Sequence, residues 1–457
     1  MLNKLFLLAL VLATACTMEP KYKTPATPVP LEKVTDNSKP RITQISWQEY
    51  FTSPHLQQVI QLALVNNRDL KVANLNIETA QATHNIVRAD LMPNINATAI
   101  MTRQGVPSAF AAFTPRTQYR AGLALTSYEI DFAGRLRSLK KSALEDFLAT
   151  EQARNVTRIA LIAETANAYV QFLVDSQILK IAAQNTEAQE GRYKFMKLRY
   201  ENGIASKSEL LEISTLLEQS RITSETYTKL AQQDKNALML LTGIFDKKLL
   251  PLNSDLSDIK INESLLDSLP SESLLARPDI RQAEHKLLSA NADIGAARAA
   301  FFPSITLTGS YGYGSRDLSD LFSSRVWAIS PQITLPIFSG GRNVANLEIA
   351  NVRKKIEILQ YEKAIQTAFK ETLDELATRR SATKQLESAQ IVFEARQSFY
   401  KISEYRWKEG ISSNLDLLDA NINMLLAEEQ RADAQKQYLA NLINLYKVLG
   451  GGSEVSE

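Results

Sequence analysis

The chain has little of what enzymes and redox proteins need. Its 457 residues include one cysteine and three histidines. A lone thiol cannot form an intrachain disulfide, so no covalent cross-link holds the fold, whatever the compartment. His55, His84 and His285 are scattered, with no close His or Cys partner, which leaves no ligand set for a metal ion. The two glycines of "FSGGRNVAN" lack the Gly-Lys-Ser/Thr ending of a phosphate loop, and no serine stands in a G-x-S-x-G context. The "GYG" at Gly312 lies in a strand-like segment without the pore helix of a potassium filter. These absences argue against an enzyme and against a resident cofactor. Charge of one sign is also lacking: 52 basic and 50 acidic residues leave a formal +2, so nothing reads as a nucleic-acid surface. No apolar run reaches the roughly 18 residues of a transmembrane helix, so a bilayer crossing would be made by strands. What is abundant is apolar residues, 45% of the chain, enough for a large core, and the length alone suggests two or three domains.

The N-terminus "MLNKLFLLALVLATACTMEP" places Lys4 before an apolar stretch from Leu5 to Leu12, followed by small residues. That pattern is a secretory signal, too short for a stable membrane span. Cys16 falls where cleavage is expected. Ala13-Thr14-Ala15-Cys16 resembles a bacterial lipobox, with Ala13 where leucine is usual and Leu12 one step further out. In such a box the cysteine is lipidated and becomes the first mature residue; an ordinary cleaved signal with an incidental cysteine is the alternative. Thr17 and Met18 follow, with no Asp in second place to retain a lipoprotein at the inner membrane, which favours the outer membrane. The Pro-rich "PKYKTPATPVP" reads as an extended tether.

The sequence is written twice. "NRDLKVANLNIETAQATHNIVRADLMPNI" aligns without gaps to "RPDIRQAEHKLLSANADIGAARAAFFPSI", placing Asp69, Arg88, Pro93 and Ile95 on Asp279, Arg298, Pro303 and Ile305. "FAGRL" from Phe132 echoes "FSGGRN" from Phe338, so Gly134 and Arg135 answer to the Gly340–Gly341 turn, and Gly203 echoes Gly410. Each half therefore runs helix, proline, two alternating segments, Gly-Arg turn, very long helix, Gly break, helix.

In "SITLTGSYGY", Ile305, Leu307, Tyr311 and Tyr313 share one face while Ser304, Thr306, Thr308 and Ser310 share the other. "VWAISPQITLPIF" alternates likewise, and "NINATAIMTRQ" and "QYRAGLALTSYEI" do so more weakly. Each is about ten residues long, the length of a tilted strand that spans hydrocarbon, though a soluble sheet with one wet face would alternate in the same way. From Arg342 to about Lys408 there is neither Pro nor Gly, which predicts a rod on the order of 100 Å. Its partner runs from about Arg135 to Glu201, interrupted only by Gly191. Apolar stripes such as Ile349, Val352, Ile356 and Leu359 are consistent with coiled-coil-like packing. Four strands cannot close a barrel, and open edges do not persist in lipid, so other copies must complete it. Two chains would give an eight-stranded barrel filled by side chains; a conducting protein favours three chains.

Four stretches, "ISWQEYFTSPHLQQVIQLALVNNRDLKVANL", "LLARPDIRQAEHKL", "YEIDFAGRLRSLKK" and "LPIFSGGRN", together resemble the TolC-like outer-membrane efflux lipoproteins, in the NodT/OprM-type branch that serves multidrug and metal pumps of the RND type. The likeness covers essentially the whole mature chain. It implies an α+β membrane fold: a homotrimer whose twelve-stranded barrel, four strands per chain, sits in outer-membrane lipid and continues as a helical periplasmic tunnel with an equatorial collar. It implies a passive exit duct fed by an inner-membrane RND-type pump through a periplasmic adaptor, with no nucleic acid involved. In such ducts the tunnel closes at its periplasmic tip, where the long helices turn back; here the turns are Gly203 and Gly410. The resemblance places the gate acids on Glu209 and Asp419, with Asp416 and Glu212 as repeat counterparts. It puts Trp407 where relatives carry Tyr, and Lys408 as an ionic partner. The Arg that often follows "LDA" is Ile422, so the customary latch is missing. The alternative is that all four acids are solvated helix N-terminal residues favoured by the helix dipole.

These readings divide the chain into a signal peptide (1–15), a lipidated tether (16–45), equatorial and tunnel helices (46–92), two barrel strands (93–131) and a first long hairpin (132–245). An equatorial linker (246–276), a tunnel helix (277–302), two further strands (303–338), a second long hairpin (339–449) and a tail (450–457) complete it. The runner-up function is a surface-tethered coiled-coil spacer.

Overall fold

A computed structural model describes residues 17–30, 42–105, 107, 117–246, 255–266 and 271–453. The segment read as a signal peptide, Cys16 and part of the segments read as tether and tail lie outside the described residues. In chain order the elements are a helical turn α1 (Trp47–Tyr50), α2 (Pro54–Asn66), α3 (Arg68–Ala89), β1 (Ile95–Arg103), β2 (Thr117–Ile130), α4 (Arg135–Glu201) and α5 (Lys207–Thr242). There follow α6 (Pro278–Ala299), β3 (Ser304–Ser315), β4 (Arg325–Thr334), α7 (Arg342–Lys408) and α8 (Asn414–Val448). The two long helices α4 and α7 are both 67 residues and both begin at the Arg after a glycine turn, so the repeat pairs them position for position. Gly191 does not interrupt α4.

The chain forms two compact units. One comprises the described part of Met1–Ala26 with Leu75–Gln152 and Arg281–Lys363. It holds the antiparallel sheet, in the order β1-β2-β3-β4. Directly opposed residues share a face, so the register puts Ile95, Leu123, Leu125, Ile305, Tyr311, Trp327, Ile329 and Ile333 together. Thr98, Gln118, Arg120, Thr306, Ser330 and Gln332 line the other face. The weaker alternation in the second segment has a physical cause. A bulge between Leu125 and Tyr128, with Ser127 at φ 51°, inserts one residue, so Leu125 and Tyr128 lie on the same apolar face. On the polar face Gly122 opposes Gly312 so closely that a Cβ on either would lie 2.3–2.4 Å from a neighbouring carbonyl oxygen. β4 ends at Thr334, short of Pro336, which has no N–H to offer a ladder. Every residue of β4 is exposed, and β1 and β4 each have a strand on one side only.

The tether, where described, has neither helix nor strand but is docked. Glu19 accepts hydrogen bonds from Lys141 (2.8 Å) and Asn291 (3.0 Å), and Tyr22 donates to Glu284 (3.4 Å).

The second unit comprises the described parts of Thr27–Asn74, Ala153–Ile280 and Ala364–Glu457. Its core gathers Trp47, Leu56 and Ile60 with Ile162, Val170 and Ile178 of α4, Leu238 of α5, and Leu442 and Leu445 of α8. Tyr50, Phe51 and Tyr446 pack ring against ring, with centroids 4.8–5.3 Å apart. Arg277, from the "LLARPDI" stretch, is buried and donates to Asp279, Glu371 and the Val448 carbonyl, tying α6, α7 and the end of α8 together. Its charge is compensated twice, as burial requires.

Candidate functional site: the turns that join the long helices

Both long helices end in the same way. Gly203 (φ 72°) and Gly410 (φ 70°) take the left-handed conformation that glycine adopts without cost. The Gly203 amide donates to the Tyr200 carbonyl (3.0 Å) and the Ile204 amide to Arg199 (2.8 Å). At the second turn Gly410 donates to Trp407 (3.0 Å) and Ile411 to Arg406 (2.8 Å). This double bond pattern, with an apolar residue after the glycine, satisfies the last carbonyls of the helix. At the starts of the long helices Gly134, Gly340 and Gly341 also have positive φ and lead into Arg135 and Arg342.

Three residues beyond each tip glycine the chain re-enters a helix through a serine cap. Ser206 accepts from the Glu209 amide (3.2 Å), and the Glu209 carboxylate accepts from the Ser206 amide (2.6 Å). Ser413 and Asp416 repeat the exchange at 3.1 and 3.0 Å, and the Ser413 hydroxyl also donates to Asp416 at 2.8 Å. Such a reciprocal cap satisfies two otherwise orphaned amides. It also fixes the charge of both acids. The hydrogen bonds from the Ser206 backbone and side chain hold Glu209 below the usual carboxylate range, and the Ser413 hydroxyl and amide do the same for Asp416. Like-charge repulsion would push these acids up; within one chain the caps push them down.

Glu212 and Asp419 lie one turn further along, and here the two tips part. Asp419 Oδ1 receives Arg192 of α4 at 2.9 Å. Glu212 is exposed and makes no ion pair among the described residues. Lys408 donates to Glu404 of its own helix at 2.8 Å rather than to the acids beyond the turn. Trp407 is partly exposed, and its carbonyl belongs to the turn. Ile422 is half-buried and supplies no charge.

Three contacts near the tips went unseen in the sequence: Arg192 with Asp419, Arg221 between Glu190 (2.8 Å) and Glu218 (2.9 Å), and Arg431 over the Phe393 ring at 4.2 Å. One signal was available. The repeat sets Arg192 against Phe399, a charge gained or lost between halves that otherwise match.

An amphipathic sheet with open edges and paired 67-residue helices that reverse at capped, acid-bearing turns is the build of a membrane duct protein. The chain belongs to the outer membrane efflux protein family, whose model matches residues 59–244 and 269–451. It is 40% identical over 451 residues to the toluene efflux pump outer membrane protein TtgC of Pseudomonas putida, covering 96% of this chain and 93% of that one. The antibiotic efflux pump outer membrane protein ArpC of the same species matches equally, at 40% over the same shares. Among solved structures, the open state of the Neisseria gonorrhoeae MtrE outer membrane channel superposes with a TM-score of 0.84 at 36% identity, covering 96% of this chain and 99% of that one. The protein is thus an outer-membrane efflux component, as its sequence had suggested.

Proposed function

We infer that three copies of this chain assemble into a passive exit duct, a twelve-stranded outer-membrane barrel continued by a helical periplasmic tunnel. The observation that carries the reading is the sheet, with its apolar face, its polar face and unpaired edges on β1 and β4. Such edges are untenable in hydrocarbon until a neighbouring copy pairs with them. Twelve strands leave a lumen, where eight would be filled by side chains. Gln118, Arg120, Ser330 and Gln332 then face the passage, and Trp327, Ile329 and Ile333 face lipid.

Cys16 carries the lipid that anchors the mature chain. The tips at Gly203 and Gly410 form the gate: three copies of Glu209, Glu212, Asp416 and Asp419 around a narrow axis make negative rings that favour cations. Trp407 and Lys408 flank the second turn. Contacts from a periplasmic adaptor and an inner-membrane RND-type pump favour a splayed arrangement, and the rings widen. In this reading the energy comes from the pump. The cargo named for TtgC and ArpC points to small toxic compounds such as solvents and antibiotics.

Outer-membrane fractions should yield detergent-resistant trimers with heat-modifiable mobility; a freely soluble monomer would return the chain to the role of tethered spacer. Replacing Cys16 with Ser should abolish palmitate labelling. In planar bilayers Asp419→Asn should raise resting conductance and weaken cation preference, and unchanged traces would remove Asp419 from the gate.

A further inference from the structure

The geometry points to Arg192 as the cation that latches the tip shut, in place of the one missing at Ile422. The inference rests on the gate reading above. Each hairpin is fastened internally, α4 to α5 through Glu190 and Arg221, and α7 to α8 through Arg431 stacked on Phe393. Neither fastening joins one hairpin to the other. Arg192 on α4 and Asp419 on α8 do so, at 2.9 Å, within three turns of each helix reversal.

Burial of the arginine, not of the 46%-exposed Asp419, sets this pair apart from the exposed ion pairs nearby. The Arg192 side chain is 15% exposed, and its Nε is shielded from solvent with no acceptor among the described residues. Asp419 is therefore the principal compensation for a guanidinium largely removed from water. Exposed pairs contribute little, but withdrawing Asp419 leaves a largely buried guanidinium without its counter-charge. The Lys408–Glu404 pair, by contrast, lies on one helix and is well exposed, so it constrains no interhelical distance. Separating the hairpins must break Arg192 from Asp419, and partner contacts must offset that loss. The pair is a barrier of the kind that keeps a two-state element in one state until it is engaged.

The repeat sharpens the claim. At the equivalent joint, Glu212 takes the place of Asp419 and Phe399 takes the place of Arg192, so the counterpart latch has an acid but no cation. Among the described residues each chain carries this latch at one joint and not at its repeat counterpart.

The test uses the full-length trimer in planar bilayers, with melting of the trimer as a control. Arg192→Gln should raise resting conductance several-fold with little change in melting temperature. Arg192→Lys should stay closed, and the exchange R192D/D419R should restore closure. Lys370→Gln, which removes an exposed pair within α7, should leave resting conductance unchanged. Wild-type conductance in Arg192→Gln, with Asp419→Asn open, would overturn the latch while sparing the gate; wild-type conductance in both would overturn the gate itself. If Arg192→Gln fails to assemble, the exchange variant decides: a closed trimer supports the latch and an open one rejects it.

Discussion

The two tips have the same backbone and different neighbours. Gly203 and Gly410, Ser206 and Ser413, and Glu209 and Asp416 reproduce one another down to single hydrogen bonds. One turn later Asp419 meets Arg192, and Glu212 meets no cation among the described residues. Local geometry is conserved because a helix reversal has few solutions: a left-handed glycine to end it and an oxygen to cap the next start. Contacts between helices are not so constrained. Duplication therefore yields two equal turns whose lateral fastenings are free to differ.

The largest expected effect comes from erasing that difference. Phe399 is 55% exposed, and Phe399→Arg would supply Glu212 with the cation it lacks. Resting conductance should fall below wild type, and the same change should reclose Arg192→Gln. A null result in single-channel recordings would mean that the repeat-related joint does not approach closely enough to pair. Smaller, and equal at both tips, is the effect of a β-branched residue at the glycine. Gly203→Val and Gly410→Val should each destabilise the turn by about 1–2 kcal/mol, because a left-handed residue with a Cβ is strained. Ser206→Ala and Ser413→Ala should each cost about 1 kcal/mol through the lost cap. Unequal melting shifts within either pair would break the equivalence of the turns.

The smallest effect concerns pH. Asp234 on α5 is pushed up to about 7 by burial and by the hydrogen-bonded Asp175 carboxylate. Its repeat counterpart is Asn441, which does not titrate and donates to the Glu375 carbonyl and carboxylate at 2.8 and 2.7 Å. Because the folded-state value is raised, the contribution of Asp234 is complete below about pH 4 and is lost as pH rises through 7. Asp234→Asn should flatten the melting temperature between those limits. Glu209 and Asp416 act in the opposite sense: their values are lowered, so their stabilisation is present above the ordinary carboxylate range and lost on acidification.

Much of this architecture was legible in the chain itself. Alternation in "SITLTGSYGY" sets the faces of β3, and the absence of Pro and Gly after Arg342 sets the length of α7. Both signals are local, and local signals survive reading in one dimension. The bulge at Ser127 was not legible, because a shifted register shows only as blurred alternation. The role of Glu209 and Asp416 as caps lies within four residues of sequence, whereas Arg192 and Asp419 are far apart in the chain and meet only when two hairpins pack. The docking of Glu19 on Lys141 and Asn291 was hidden for the same reason.

The extra residue in β2 has a consequence for how this strand can vary. The bulge takes one residue out of the alternation, which is why Tyr128 and Ile130 stay on the apolar side with Leu125. Loss of one residue between Leu125 and Tyr128 would remove the bulge and leave Tyr128 two positions after Leu125, still on the apolar face of a regular ladder, whereas loss of two would turn Glu129 to that face. The strand can therefore shed one residue at this point and keep its two faces, but it cannot shed two.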